Sequence, residues 1–148
     1  MIKIVCVGKL KERHYSEACG EYLKRLGRHA KIEIVELKEQ SDKDVNVAKR
    51  KEAFLIAGKL AGMRDYYKVS LDSRGRQLSS EEFSEILKKP NIAFIIGGPD
   101  GLAEEVLKQS DFVLSLSKMT LPHQLARVFL LEQIYRGFTI MKNEKYHK

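Results

Sequence analysis

The spacing of apolar residues changes period repeatedly along the chain, and each change marks an element. Ile2–Val7 is rich in β-branched residues and closes at Gly8, which predicts a strand. From His14 to Leu26 the positions Tyr15, Ala18, Tyr22, Leu23 and Leu26 recur at helical spacing and stop at Gly27. Lys31–Leu37, KIEIVEL, alternates as a strand with one solvated face does. Asp42–Leu60 returns to helical spacing, with Val45, Ala48, Phe54 or Leu55, and Leu60 on the inner face. The run YYKVSL ending at Leu71 predicts a third strand, and DSRGRQ a turn after it.

Ser79 and Glu82 stand at capping-box spacing and open the next helix, which Pro90 ends. IAFIIGG, from Ile92, is apolar at every position, the pattern of a central parallel strand covered on both faces. A short helix from Leu102 to Gln109, a strand FVLSLS and a long helix from Gln124 to Met141 complete the chain. Strands and helices alternate throughout, which predicts a single α/β domain over residues 1–148, with a mostly parallel sheet flanked by helices. In the last helix Leu125, Val128, Phe129, Leu131, Ile134, Tyr135 and Phe138 cover more than one stripe. One apolar side is expected on the sheet and the other on a symmetry-related helix in a homodimer.

Charge adds a partner. The net charge of +7 makes nucleic acid a candidate. The densest basic stretch is Lys24, Arg25, Arg28, His29 and Lys31, with Lys9, Lys11 and Arg13 upstream. Arg136 has Glu132 one turn before it and is expected to form an i,i+4 pair. Arg127 has no such acid and is, with Lys9, Lys11 and Arg25, a candidate for RNA phosphate. His14 and His29 read as surface residues, and His123 as a hydrogen-bonding residue at a helix start. Two cysteines, Cys6 and Cys19, give neither a disulfide framework nor a zinc spacing, so a reducing cytoplasm is expected, with no membrane segment and no metal.

In parallel sheets ligands bind beyond the carboxyl ends of strands. Three such ends are informative: Leu71–Asp72, the run Gly97-Gly98-Pro99-Asp100-Gly101, and Leu116–Leu121. The last leads into a bend that carries Met119 and Leu121 where turns usually carry polar residues. A glycine strand end beside an oily loop suits a flat ring, read along its edge by backbone groups and sandwiched by side chains. Neither G-x-G-x-x-G nor G-x-x-x-x-G-K-[ST] occurs. A receiver-type magnesium site is excluded by the basic VGKLKE after the first strand.

IIGGPDGL, LSLSKMTLPHQLARVFLLEQIYR and the terminal YHK resemble the RlmH family of SPOUT-class RNA methyltransferases, and the likeness runs the whole length. The final residue is Lys148 where some members have Arg. The resemblance implies a C-terminal trefoil knot, a homodimer, and S-adenosylmethionine (SAM) bound at the knot by Leu71, Gly97, Leu116, Ser117, Lys118, Met119, Thr120 and Leu121. It also implies methylation of N3 of a pseudouridine in a hairpin loop of large-subunit ribosomal RNA, with assembled ribosomes as the expected substrate. Tyr146, His147 and Lys148 are then the expected catalytic residues: Tyr146 to position the base, His147 to assist proton removal, Lys148 to meet negative charge. The competing readings are a ribosome-binding protein that has lost catalysis and an unrelated flavodoxin-like nucleotide binder.

Overall fold

A computed structural model describes residues 1–148. Its elements follow as β1 (Ile2–Val7), α1 (Arg13–Leu26), β2 (Ile32–Leu37), α2 (Val45–Leu60), β3 (Tyr67–Gln77), α3 (Ser80–Ile86), β4 (Ile92–Ile96), α4 (Glu104–Lys108), β5 (Phe112–Ser115) and α5 (His123–Met141). The five strands form one sheet in the order β2-β1-β4-β3-β5, every pair parallel. The two-residue period of the central strands divides the core. Ile2, Ile4 and Cys6 of β1, with Ile92, Phe94 and Ile96 of β4, face α1, α3 and α5. Val5, Val7, Ala93 and Ile95 face the opposite way, toward α2 and α4. Both strands are thus covered on both sides, as their uninterrupted apolar character predicts. Cys6 is fully buried, and burial pushes its thiol up to about 12, which leaves it a packing residue. No helix is long and apolar enough to cross a membrane.

Local chemistry sets the helix ends. Asp44 accepts the Asn46 N–H at 2.9 Å to cap α2, so this helix starts three residues later than its periodicity suggests. Ser79 and Glu82 form the complete capping box. The inner face of α2 differs from the expected one: Ala48, Ala53, Ile56 and Leu60 pack inward, while Phe54 is 80% exposed and Val45 is also outside. Small residues let the helix lie close to the sheet, and the larger Phe54 is turned out. The long helix α5 also departs from expectation. Its second apolar side meets α1 and α3 of the same chain, so Leu130, Leu131, Ile134 and Tyr135 are buried without a second copy.

The segment Asp72–Gln77 is not a simple turn. β3 continues through it and pairs with β5 twice, so that Leu114 is opposite both Leu71 and Arg76. Asp72 holds the detour by accepting the Arg74 N–H at 2.9 Å. Gly75 then lies directly on the β5 backbone, where a Cβ would stand 2.5 Å from the Val113 carbonyl oxygen. Gly75→Ala is therefore expected to destabilise the fold by about 1–3 kcal/mol in urea denaturation. Gly58→Ala, with open space around the added methyl, should instead stabilise by up to about 1 kcal/mol.

Candidate active site

The carboxyl ends of β3, β4 and β5 open onto a cleft of ≈ 810 Å³, within the size range of small-molecule sites. Leu71 and Asp72 line it from β3, the Gly97–Leu102 turn from β4, and Leu116, Ser117 and Met119–Pro122 from the bend after β5. His123 and Ala126 of α5 and Lys49 of α2 close its sides. The three strand ends singled out from the sequence meet in this one place.

The Gly97–Gly101 turn is shaped from within. The Gly101 N–H donates to the Gly98 carbonyl at 3.0 Å, and Gly101 has φ +79°, a left-handed conformation that favours glycine. A Cβ on Gly97 would stand 2.7 Å from the Gly101 carbonyl carbon. Gly97 is thus glycine because its own loop folds back on it. Beneath the turn lies Glu52, 6% exposed, which accepts the Gln40 N–H at 3.1 Å and whose carboxyl is pushed up by burial.

In the bend Leu116–Leu121 only one amide finds an acceptor in the chain: the Met119 N–H donates to Ser117 Oγ at 3.0 Å. Backbone donors are obligatory hydrogen-bonding groups, so a run of free ones beside a cleft is available to the edge of a ligand ring. Leu71, Leu116 and Leu121 provide apolar surface around it, while Met119 stands out at 78% exposure. Lys118, exposed in the middle of the bend, does not line the cleft.

On the lip, Asp72 and Arg74 are locked together, with Nε–Oδ1 2.8 Å and Nη2–Oδ2 3.1 Å, and Arg74 Nη1 reaches Glu104 at 3.4 Å. The guanidinium holds the Asp72 carboxyl below its ordinary range. This clamp has no signature in the sequence beyond charge.

Arg127 is not available to RNA. It is 3% exposed, donating from Nη1 to Glu36 at 2.7 Å and from Nη2 to the Gly8 carbonyl at 3.0 Å. Its partners come from strands distant in sequence, which local spacing could not reveal. Lys9 and Lys11 are exposed on the loop after β1, near the cleft, whereas Arg25 lies toward the far end of α1, paired with Glu21. The basic candidates therefore do not form one patch. At the start of α5 it is Gln124, not His123, that makes the hydrogen bonds, accepting the Lys11 and Glu12 amides at 3.0 and 3.3 Å. His123 faces the cleft instead.

The tail folds back on α5. Asn143, with φ 54°, reverses the chain. The Tyr146 hydroxyl donates to Glu132 Oε1 at 3.1 Å, its ring stands edge-on to Tyr135 at 4.8 Å, and the Arg136 guanidinium lies 4.8 Å from the ring centre. Burial, with bonds to Tyr22 and Glu132, raises the Tyr146 hydroxyl above its usual range. His147 Nδ1 accepts from Arg136 at 3.2 Å, which leaves Nε2–H to donate to Glu81 at 2.8 Å. The expected Glu132–Arg136 pair is present at 2.6 Å and anchors this cluster. Lys148 is exposed beside it. Yet none of the three tail residues lines the cleft. Nine residues of α5 separate His123 from Glu132, about 14 Å of helix. One protomer does not bring the two sets together.

Comparison with known proteins decides the family. The family model described as a predicted SPOUT methyltransferase matches residues 1–147. The chain belongs to the SPOUT methyltransferase family. A relative from Caldicellulosiruptor saccharolyticus, ribosomal RNA large subunit methyltransferase H, is 47% identical over 156 residues and covers 100% of both chains. A relative from Clostridium perfringens strain SM101, ribosomal RNA large subunit methyltransferase H 1, is 45% identical over 159 residues and covers 99% of each. A solved structure of an RNA methyltransferase from Bacillus anthracis superposes over 100% of both chains with TM-score 0.60 at 12% identity, which shows a shared fold alone.

His29 is half-buried rather than superficial, stacked on Phe138 at 5.7 Å with its Nδ1 sealed from solvent and unpartnered. Burial first, then Lys142 and Arg28, lowers its pKa below 6.5, and burial, Arg127 and Lys11 do the same to His123. Unfolded histidines protonate near 6.5 while the folded ones resist, so stability is complete above that value and falls as pH drops through it. Urea midpoints measured on either side of pH 6.5 should show this loss, with a shallower slope in His29→Gln.

Proposed function

We propose that this SPOUT methyltransferase uses SAM to methylate N3 of a pseudouridine in a hairpin loop of large-subunit ribosomal RNA, in the cytoplasm, as a homodimer. The observation that carries the reading is the free backbone edge of Leu116–Leu121, set against apolar side chains and the Gly97 turn. The names of the two relatives support the RNA substrate. A trefoil knot in the last third of the chain is part of this reading. Support comes from β3 wrapping β5 so tightly that Gly75 lies on its backbone.

Bound in the cleft, SAM supplies an electrophilic methyl group for in-line displacement. The backbone of Leu116–Leu121 and the Gly97 turn would hold its adenosine part, with Leu71, Leu116 and Leu121 as apolar walls. The main task of the chain is to hold nucleophile and methyl carbon in line. N3 of the target ring lies between two carbonyls and must lose its proton near the transition state. His147 is the group we assign to receive that proton, at Nδ1, once the target base displaces the Arg136 guanidinium that occupies it here. Tyr146 positions the base and Lys148 meets negative charge. The tail lies about 14 Å along α5 from the cleft of its own protomer, so the tail that completes each site comes from the partner. Leu125, Val128 and Phe129 remain at least partly exposed on α5 and offer an apolar surface for that association.

So small a chain has few groups with which to read sequence, and phosphate contacts carry none. Recognition of an assembled ribosomal surface follows. The deciding assay is methyl incorporation from labelled SAM into ribosomes, separated large subunits and naked RNA from a strain lacking this protein. Label on one pseudouridine, identified by mass as the N3-methyl nucleoside, is the expected result; absence of label from all three substrates would favour a binding protein without catalysis. Deleting Tyr146–Lys148 is expected to lower methylation at least a hundredfold while SAM binding, measured by calorimetry, persists. Unchanged methylation in that variant would remove the tail from the mechanism.

A further inference from the structure

The charged groups of the cleft are not all explained by a slot for a base. Lys49, Asp72, Arg74 and Asp100 line it. Asp72 and Arg74 are committed to each other, and Arg74 to Glu104 as well. Lys49 and Asp100 are committed to nothing: neither makes a hydrogen bond nor an ion pair within the chain, and they are not paired with each other. They nevertheless share one neighbourhood. Glu52, whose carboxyl burial holds up, feels both the Asp100 carboxylate and the Lys49 ammonium, and Lys49 also acts on Asp72, which Arg74 holds down. Glu52 itself lies against Gly98, in the turn that carries Asp100.

A half-buried lysine without an ion-pair partner is free to meet an anionic group of a ligand. Here it stands on one wall of a cleft that also presents an uncommitted carboxylate. Opposite charges held apart on one cleft suit a ligand group that carries both signs, and an α-amino acid zwitterion does so on a single carbon. The run Leu116–Leu121 adds no charge to the lining, because its one cation, Lys118, is not among the lining residues.

We propose that Lys49 and Asp100 clamp the amino-acid end of the cofactor, Lys49 Nζ donating to its α-carboxylate and Asp100 accepting from its α-ammonium. The inference rests on the SAM reading of the cleft and deepens it. The apolar slot holds the nucleoside, and this pair selects nucleosides that bear an amino acid.

The test is calorimetric titration of the whole protein with two ligands, S-adenosylhomocysteine and 5′-methylthioadenosine, which shares the adenosine and sulfur but lacks the amino acid. Lys49→Met and Asp100→Asn, checked for wild-type melting, should each weaken S-adenosylhomocysteine by about tenfold or more, the scale of a lost charge-assisted hydrogen bond. Binding of 5′-methylthioadenosine should stay within about twofold. Equal weakening of both ligands, or of neither, overturns the clamp while leaving the cofactor site standing. Lys49→Met that keeps its S-adenosylhomocysteine affinity but binds ribosomes more weakly also overturns it, and makes Lys49 a phosphate contact. Wild-type protein that binds neither ligand overturns the cofactor reading, and the clamp with it.

Discussion

One buried guanidinium sets the position of everything at the carboxyl edge of the sheet. Arg127, in the second turn of α5, ties that helix to the Gly8 carbonyl at the end of β1 and to Glu36 of β2. A buried charge persists only where its donors are met, and the fold meets them with groups from two strands that are adjacent only after β1 and β2 have paired. Gly8, at φ +87°, turns the chain there. Gln124 adds a second tie to the loop before α1. The amino end of α5 is thereby fixed against the sheet.

That fixation matters because the bend Leu116–Pro122 hangs between two anchors, β5 on one side and α5 on the other. β5 is gripped twice by β3, and α5 is held by Arg127 and Gln124. A loop with immobile ends can keep its amide groups free of internal partners without collapsing onto itself. Preorganised backbone donors serve binding best when their position costs nothing at the moment the ligand arrives. Within the bend, Leu116 and Leu121 turn partly inward on the cleft while Met119 stands in solvent.

Much of this was legible beforehand, and the exceptions share a cause. β1 and β4 declared themselves by apolar residues on both faces, and α3 by its Ser79–Glu82 box. The family motif in Leu116–Leu121 was visible as a sequence, although its free backbone amides leave no signature in side-chain chemistry. Arg127 was misread because its anionic partner is 91 residues away. Periodicity left Phe54 and Leu55 as alternatives, and packing decides between them: α2 lies close to the sheet through Ala48 and Ala53, Leu55 packs against that core and Phe54 is turned out. The Asp72–Gln77 detour reads as a turn by composition, and only the neighbouring β5 makes it a strand. Lys49 carried no signal at all: a lysine on a charged helix is ordinary until the fold turns it toward a cleft.

The same helix that supports the cleft at one end supports the tail at the other, and this separation constrains the chemistry. Glu132 organises the tail by holding Arg136 and the Tyr146 hydroxyl together, and Arg136 in turn fixes the tautomer of His147. In the proposed mechanism the tail has to reach the cleft, which lies about 14 Å along α5 from it within one protomer. A twofold arrangement that sets the tail of one protomer over the cleft of its partner brings the two together without bending α5. Activity would then depend on assembly, and an isolated protomer could bind its cofactor yet have no means to deprotonate the base. The arrangement also gives the surplus positive charge a place. Arg25, Arg28 and Arg136 surround the tail, while Lys9 and Lys11 flank the cleft. In the proposed dimer these basic groups would fall on the two sides of one RNA site.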